Sequence, residues 1–319
     1  MPRSMVSGLA AVLALAVIAV GIVQLTGDPV PVRAGSPPLA AHQAGKSTPG
    51  ERVTLRPGPA RAELTAHGDL TRLGPDDQES AMRPAAVSSG KFGRPISYPV
   101  DGKIYAQPLY LPGLPIGGRV HDVVIVATEH DSVYAFDGNA TTAPGAPQAL
   151  LWSASLLMPG VSLLKAATDR MGPSSGRLCN SIAPQVGVTS TPVADRSART
   201  IFGMALDVYT GQSRRRAVAV RAVVPGDGID SVHGQVVFRA TKEQQWQALT
   251  EEAGTVYAGF GSWCDVPLFH GWLIGFSAAT LARTVVYDDS QDAYGGGLGE
   301  SPAGLTADAR GTCSWERSR

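Results

Sequence analysis

The chain has 319 residues, and its 27 basic and 27 acidic side chains cancel, so no net field favours nucleic acid or an anionic surface as a partner. Its 37 glycines and 24 prolines suit short strands and many turns better than a helical bundle. A hydrophobic content of 44% supports a packed core, and the length allows one large domain or two ordinary ones.

The first element in chain order is the apolar run MVSGLAAVLALAVIAVGIVQL, residues 5–25, preceded by Arg3. A helix needs about 20 such residues to cross the hydrocarbon core. The run therefore predicts an N-terminal hydrophobic helix inside a segment 1–34 that reads as a signal anchor or a signal peptide. A small-residue cleavage site is readable at VRA, Val32 to Ala34. Both readings put the rest of the chain outside the cytoplasm, either membrane-anchored by residues 5–25 or secreted. Residues 35–85 follow as a Pro/Gly/Ala-rich disordered linker with scattered charge and no sustained period. AGKST at 44–48 looks like the end of a phosphate-binding loop, but Ala40 stands where the first glycine belongs and no strand precedes it.

From residue 86 to 319 the pattern is β-rich. DVVIVATEHDSVYAFD, residues 122–137, reads as two short strands joined by a tight turn, and LLW at 150–152 as a further strand ending in Trp152. Partial echoes follow in VTSTPVADRSARTIFGMALDVYTG (188–211), TVYAGFGSWCDVPLFHGWLIGFSAATL (255–281) and GLTADARG (304–311). The strands are near-continuous apolar runs, as expected where both faces are buried. Aspartates before small residues supply the side-chain-to-backbone bonds of tight turns.

These phrases resemble the repeat of the quinoprotein (pyrroloquinoline quinone) dehydrogenase-like β-propellers, and YPVDGKIYAQPLYLPGL, GVTSTPVAD and VYAGFGSWCDVPLFHGWLIGF resemble secreted bacterial members of that group. The resemblance spans about residues 96–311 and implies an all-β fold. It would be a partial, open or incomplete, propeller of four-stranded antiparallel blades over 86–319, with Asp137, Trp152, Asp207, Gly211 and Trp272 as blade-signature residues. It also implies a Cys179–Cys264 disulfide, since both cysteines sit in phrases that carry one in similar propellers, with Cys313 left over. Such a bridge would close a loop of about 85 residues and contribute roughly 4 kcal/mol.

Three departures point to a truncated relative. The unit at 188–211 has too little chain for its strands. ATKEQQWQALTEEAG, 240–254, reads as polar and helix-prone, and TCSWERSR at the C-terminus does not read as the strand expected there. At about 40–45 residues per blade the region holds five blades at most, whereas closed propellers have 4–8.

The chemistry is sparse. Quinone dehydrogenases of similar fold hold calcium, which takes 6–8 oxygen ligands. The carboxylates available, Asp195, Asp207 and Asp265, all sit in turn contexts, and the adjacent cysteine pair of many such enzymes is absent. Cys264, Asp265 and His270 match no zinc spacing. The pairs His121–Asp122 and His130–Asp131 are sequence neighbours, whose side chains point apart on a strand. GFGSW at 259–263 fails the nucleophile-elbow spacing, SRRR at 213–216 reads as a solvated loop, and NAT at 139–141 fits a glycosylation acceptor. No catalytic or metal residue emerges. The reading is an extracytoplasmic, non-catalytic binding or scaffold module, with an unidentified cell-envelope protein as partner and no predicted cofactor. The alternatives are a dehydrogenase using pyrroloquinoline quinone with calcium, and a remnant without function.

Overall fold

The computed structural model describes residues 15–24, 61–76, 84–88, 97–140, 149–157, 161–165, 182–209, 217–263, 267–298, 302–308, 310 and 312–314. Within them the fold is all-β with antiparallel sheets, plus one helical turn, α1 (Pro84–Ser88). The N-terminal helix expected from the apolar run is corrected: Leu15–Gln24 is strand β1. A continuous apolar run does not by itself separate a buried helix from a buried strand, and this stretch is rich in Val and Ile, which favour strands. No helix among the described residues is long and apolar enough to cross a membrane.

The first sheet is a meander of β2 (Leu109–Ile116), β3 (Arg119–Ala127), β4 (Ser132–Asp137) and β5 (Leu150–Ser155), each antiparallel to the next. The β3–β4 hairpin is the one readable at 122–137. Its turn closes with Thr128 N–H donating to Ser132 O (3.0 Å) and Asp131 at a φ of 57°. β2 carries an irregularity between Leu111 and Leu114, where Gly113 takes a φ of 66°.

The second sheet is assembled from distant pieces: β6 (Val161–Lys165), β7 (Gln185–Val186), β8 (Val193–Asp195), β9 (Thr200–Tyr209) and β10 (Ala217–Ala219), with β1 inserted between β9 and β10. A small hairpin, β11 (Val223–Pro225) with β12 (Gln235–Val237), leads to the third sheet of β13 (Glu243–Gln244), β14 (Thr250–Glu252), β15 (Thr255–Ser262), β16 (Trp272–Ser277) and β17 (Arg283–Asp288). Residues 240–254 thus contribute two short strands and a loop, where the polar composition suggested helix; pairing with β15 overrides local propensity. The last pair is β18 (Thr306–Ala307) with β19 (Cys313–Ser314), so the tail does form a strand, held by Ala307↔Cys313 and Thr306↔Ser314.

β9 is the middle layer. Ile201 and Ala205 lie in a core cluster with Leu111, Val123, Ile125 and Trp152 of the first sheet. Phe202 and Met204, on the alternate positions, lie in a second cluster with Phe260, Trp272 and Phe276 of the third sheet. Period-two alternation along one strand thereby serves two cores at once.

Part of the stretch read as linker is built into the fold. Residues 61–76 run as a strap across the first strands of the successive units. Glu63 and Tyr110 exchange backbone hydrogen bonds (2.8 and 3.0 Å), Ala194 N–H donates to Leu64 O (2.8 Å), and Ala307 N–H donates to Leu70 O (2.9 Å). Its composition reads as linker because its order comes from long-range pairing and not from hydrophobic periodicity.

Candidate functional site

Arg72, at the end of the strap, is buried and uses all five of its N–H groups. Nε donates to Leu305 O (3.0 Å), and Nη1 to Thr65 Oγ1 (2.6 Å) and Ala66 O (2.8 Å). Nη2 donates to Leu249 O (3.2 Å) and Thr250 Oγ1 (2.7 Å). Burial pulls its pKa down to about 10, against the attraction of Asp69, so the guanidinium stays charged at neutral pH. A fully committed guanidinium cannot also grip a ligand anion. Beside it the units are laced in series: Gln107 N–H donates to Thr191 Oγ1 (2.9 Å), Leu249 N–H to Thr191 O (2.9 Å) and Ala248 N–H to Pro302 O (3.1 Å).

A second centre surrounds His270, two residues before β16. Nε2 lies 2.8 Å from Asp230 Oδ1, in the loop of the β11–β12 hairpin, and Nδ1 lies 3.1 Å from Ser290 Oγ. Asp288 Oδ2 is 3.3 Å from Nδ1, an ion-pair contact and not a well-aligned hydrogen bond. Burial alone would lower the imidazole pKa, but Asp288 and Asp230 reverse this and hold it at about 9. Arg239 pairs with the other oxygen of Asp230 (3.2 Å). Glu243, buried nearby, is pushed up to about 8 by desolvation, partly offset by the Arg239 backbone N–H (3.0 Å) and by the charges of His270, Arg239 and Lys242. Serine, histidine and aspartate therefore meet here, but the imidazole is 0% exposed and already protonated, so it cannot take a proton from Ser290. With both ring nitrogens turned to protein partners it also has no lone pair for a metal. The arrangement clasps the β11–β12 hairpin to the end of β17.

The third centre is Glu129, in the β3–β4 turn. Oε2 accepts from Gly187 N–H (2.6 Å) and Thr189 Oγ1 (3.1 Å), while Oε1 has no hydrogen-bond partner among the described residues. Burial raises this carboxyl to about 7, against the pull of those two donors. Gly187 is required by close approach: a Cβ there would lie 2.6 Å from both Asp131 Oδ1 and Glu129 O. Gly187 and Thr189 also wall a cavity of about 10 Å³ with Val186, Met204, Gln245 and Trp263. That is room for one water, not for an organic ligand.

Of the residues singled out from sequence, Asp137 sets its turn, with Oδ1 accepting Asn139 N–H (2.9 Å) and Oδ2 facing His121 Nδ1 (2.9 Å). His121 thus meets Asp137 and not its neighbour Asp122, which accepts from Gly113 N–H (2.9 Å) and Asn139 Nδ2 (2.8 Å). Likewise His130 lies nearest Asp101, at 3.9 Å. Trp152 sits in the cluster joining the first and second sheets. Trp272 is fully buried, edge-on to Phe238 (5.8 Å) and His270 (6.2 Å). Asp207 pairs through its backbone with Val17 and Leu163. Gly211, Cys179, Cys264, Asp265 and the basic run 213–216 lie outside the described residues. Cys313 is a free thiol.

The alternative of quinone with calcium would draw on Asp195, Asp207 and Asp265, of which Asp195 alone has a described side chain. Asp195 Oδ1 is spent on Ser197 Oγ (2.7 Å) and Ala198 N–H (2.9 Å), and no group of three or more ligating side chains occurs among the described residues. Sequence reading missed Arg72, Glu129, Asp230 and Glu243. Arg72 lay in the stretch read as linker, and the other three become notable only through their partners, Glu129 with Thr189, Asp230 with His270 and Glu243 with the Arg239 backbone. Compared with family models, curated proteins and solved structures, the chain matches none.

Proposed function

We propose that this chain is an extracytoplasmic, non-catalytic scaffold or binding module, built as an incomplete propeller of the quinoprotein type. The observation that carries the reading is the strap. Residues 61–72 hold the first strands of four successive units, and the buried cation at its end spends every donor on that task. His270 is likewise committed to tying one hairpin to a sheet. Buried ionisable groups that work as fasteners favour a rigid surface for a partner over a reacting centre. The extracytoplasmic address rests on the apolar run 5–25 behind Arg3. An anchor made of that run would require Leu15–Gln24 to leave β9.

The test is a titration of the purified chain with pyrroloquinoline quinone and calcium, read by tryptophan fluorescence and by reduction of an electron-accepting dye with alcohols and sugars. The expected result is no saturable quenching and no quinone-dependent turnover. Dye reduction that saturates with quinone would replace this reading by the dehydrogenase.

A further inference from the structure

β9 is the strand with most to lose from an open edge. Residues Thr200–Ala205 are buried and feed two core clusters. One edge is covered by β8 over 200–202 and by β6 over 207–209. The next strand in the chain, β10, does not pair with the other edge; β1 lies between them. Without β1, ten residues of β9 and three of β10 would present unpaired backbone groups in the middle layer of the protein.

We propose that the gap between β9 and β10 is a strand-acceptor site whose occupant is the chain's own apolar run Leu15–Gln24, which serves as a strand of the fold. The ligand class is an extended, uncharged, β-branched segment held through its main chain on both edges. Val17, Ile18, Val20, Ile22 and Val23 supply the β-branched character, and the run holds neither proline nor charge. Its register with β9, Leu15↔Tyr209 through Gln24↔Thr200, runs ten residue pairs without a shift. The connection from residue 25 to residue 60 reaches up to about 120 Å when extended, so both the acceptor and the strap are within its span. The same ten residues cannot pair with β9 and lie in a bilayer at once. This inference rests on strand pairing alone; it leaves the scaffold reading to the strap and withdraws the support that the run 5–25 gives to an extracytoplasmic address.

The full chain tests it. Ala19 and Ala205 are directly opposed, so A19C with A205C is expected to form a disulfide within one chain on mild oxidation, mapped by mass spectrometry of the digest. A19C with T200C, five positions out of register, is expected to give none. Val20→Pro, which removes a ladder donor, should lower Tm by about 5 °C or more, while Val20→Thr leaves it within about 2 °C. Free, alkylatable thiols at 19 and 205 in the folded protein would overturn the proposal, as would a Val20→Pro chain that melts like the parent. A 19–205 link between two chains would overturn the intramolecular occupant. If Val20→Pro does not fold, the cross-link decides.

Discussion

The first and second sheets use the same strand chemistry and are put together in opposite ways. The first takes four strands from one continuous stretch, 109–155, each paired with its neighbour in sequence. The second draws on residues 15–24, 161–165, 185–186, 193–209 and 217–219, and its central strand β9 pairs with β1 from the far end of that range as well as with β6 and β8. Local hairpins pay loop-closure entropy in small steps, whereas β9 requires contacts across long separations before any of its pairing is rewarded. The first sheet is therefore expected to behave as one local unit. The second should hold the other two together.

The comparison is tested most strongly by truncating one buried side chain in each sheet. Phe202→Ala in β9 should cost about 4 kcal/mol, and hydrogen exchange should accelerate in both β3 and β15 because β9 serves both clusters. Leu111→Ala in β2 should cost about 3 kcal/mol and accelerate exchange chiefly within the first cluster. Equal, confined effects would remove the special place of β9.

The buried ionisable groups give the next effect. Glu129 and Glu243 have folded pKa values raised to about 7 and about 8, so the folded state holds protons that the unfolded state has released. Stability therefore falls as pH rises from about 4.5 through those values. His270 is raised to about 9, so its contribution is complete below about 6.5 and is lost as pH rises through 9. All three slopes have one sign, and Tm is expected to fall steadily from pH 5 to pH 9. Glu129→Gln should flatten the part below pH 7. A stability maximum at pH 8 would contradict the assignment.

Arg72→Met keeps the stem in place and removes five donors, leaving carbonyl and hydroxyl groups on the strap, on β14 and before β18 without them. Urea unfolding should show a loss of about 2–3 kcal/mol that high salt does not restore, since the partners are neutral. The smallest effect belongs to the first sheet's own turn. Asp137→Asn retains an oxygen for Asn139 N–H but removes the charge facing His121, for about 1 kcal/mol by the same measurement.

How much could be read from the sequence follows the same division. Alternation and turn chemistry over 122–137 suffice for the β3–β4 hairpin, because its pairing partners are adjacent and Asp137 closes its own turn. The all-β class and the core tryptophans 152 and 272 were legible for the same local reason. Other features depend on partners that no local pattern names. Residues 15–24 are a strand and not a helix because β9 and β10 bond them on both edges. Residues 61–76 are ordered because they exchange hydrogen bonds with four units, and residues 240–254 are extended because β15 lies beside them. The three buried ionisable centres belong to this second class as well. A charged side chain looks alike on a surface and in a core until its distant acceptors are known. For Arg72 the most distant of them is Leu305, at the far end of the chain.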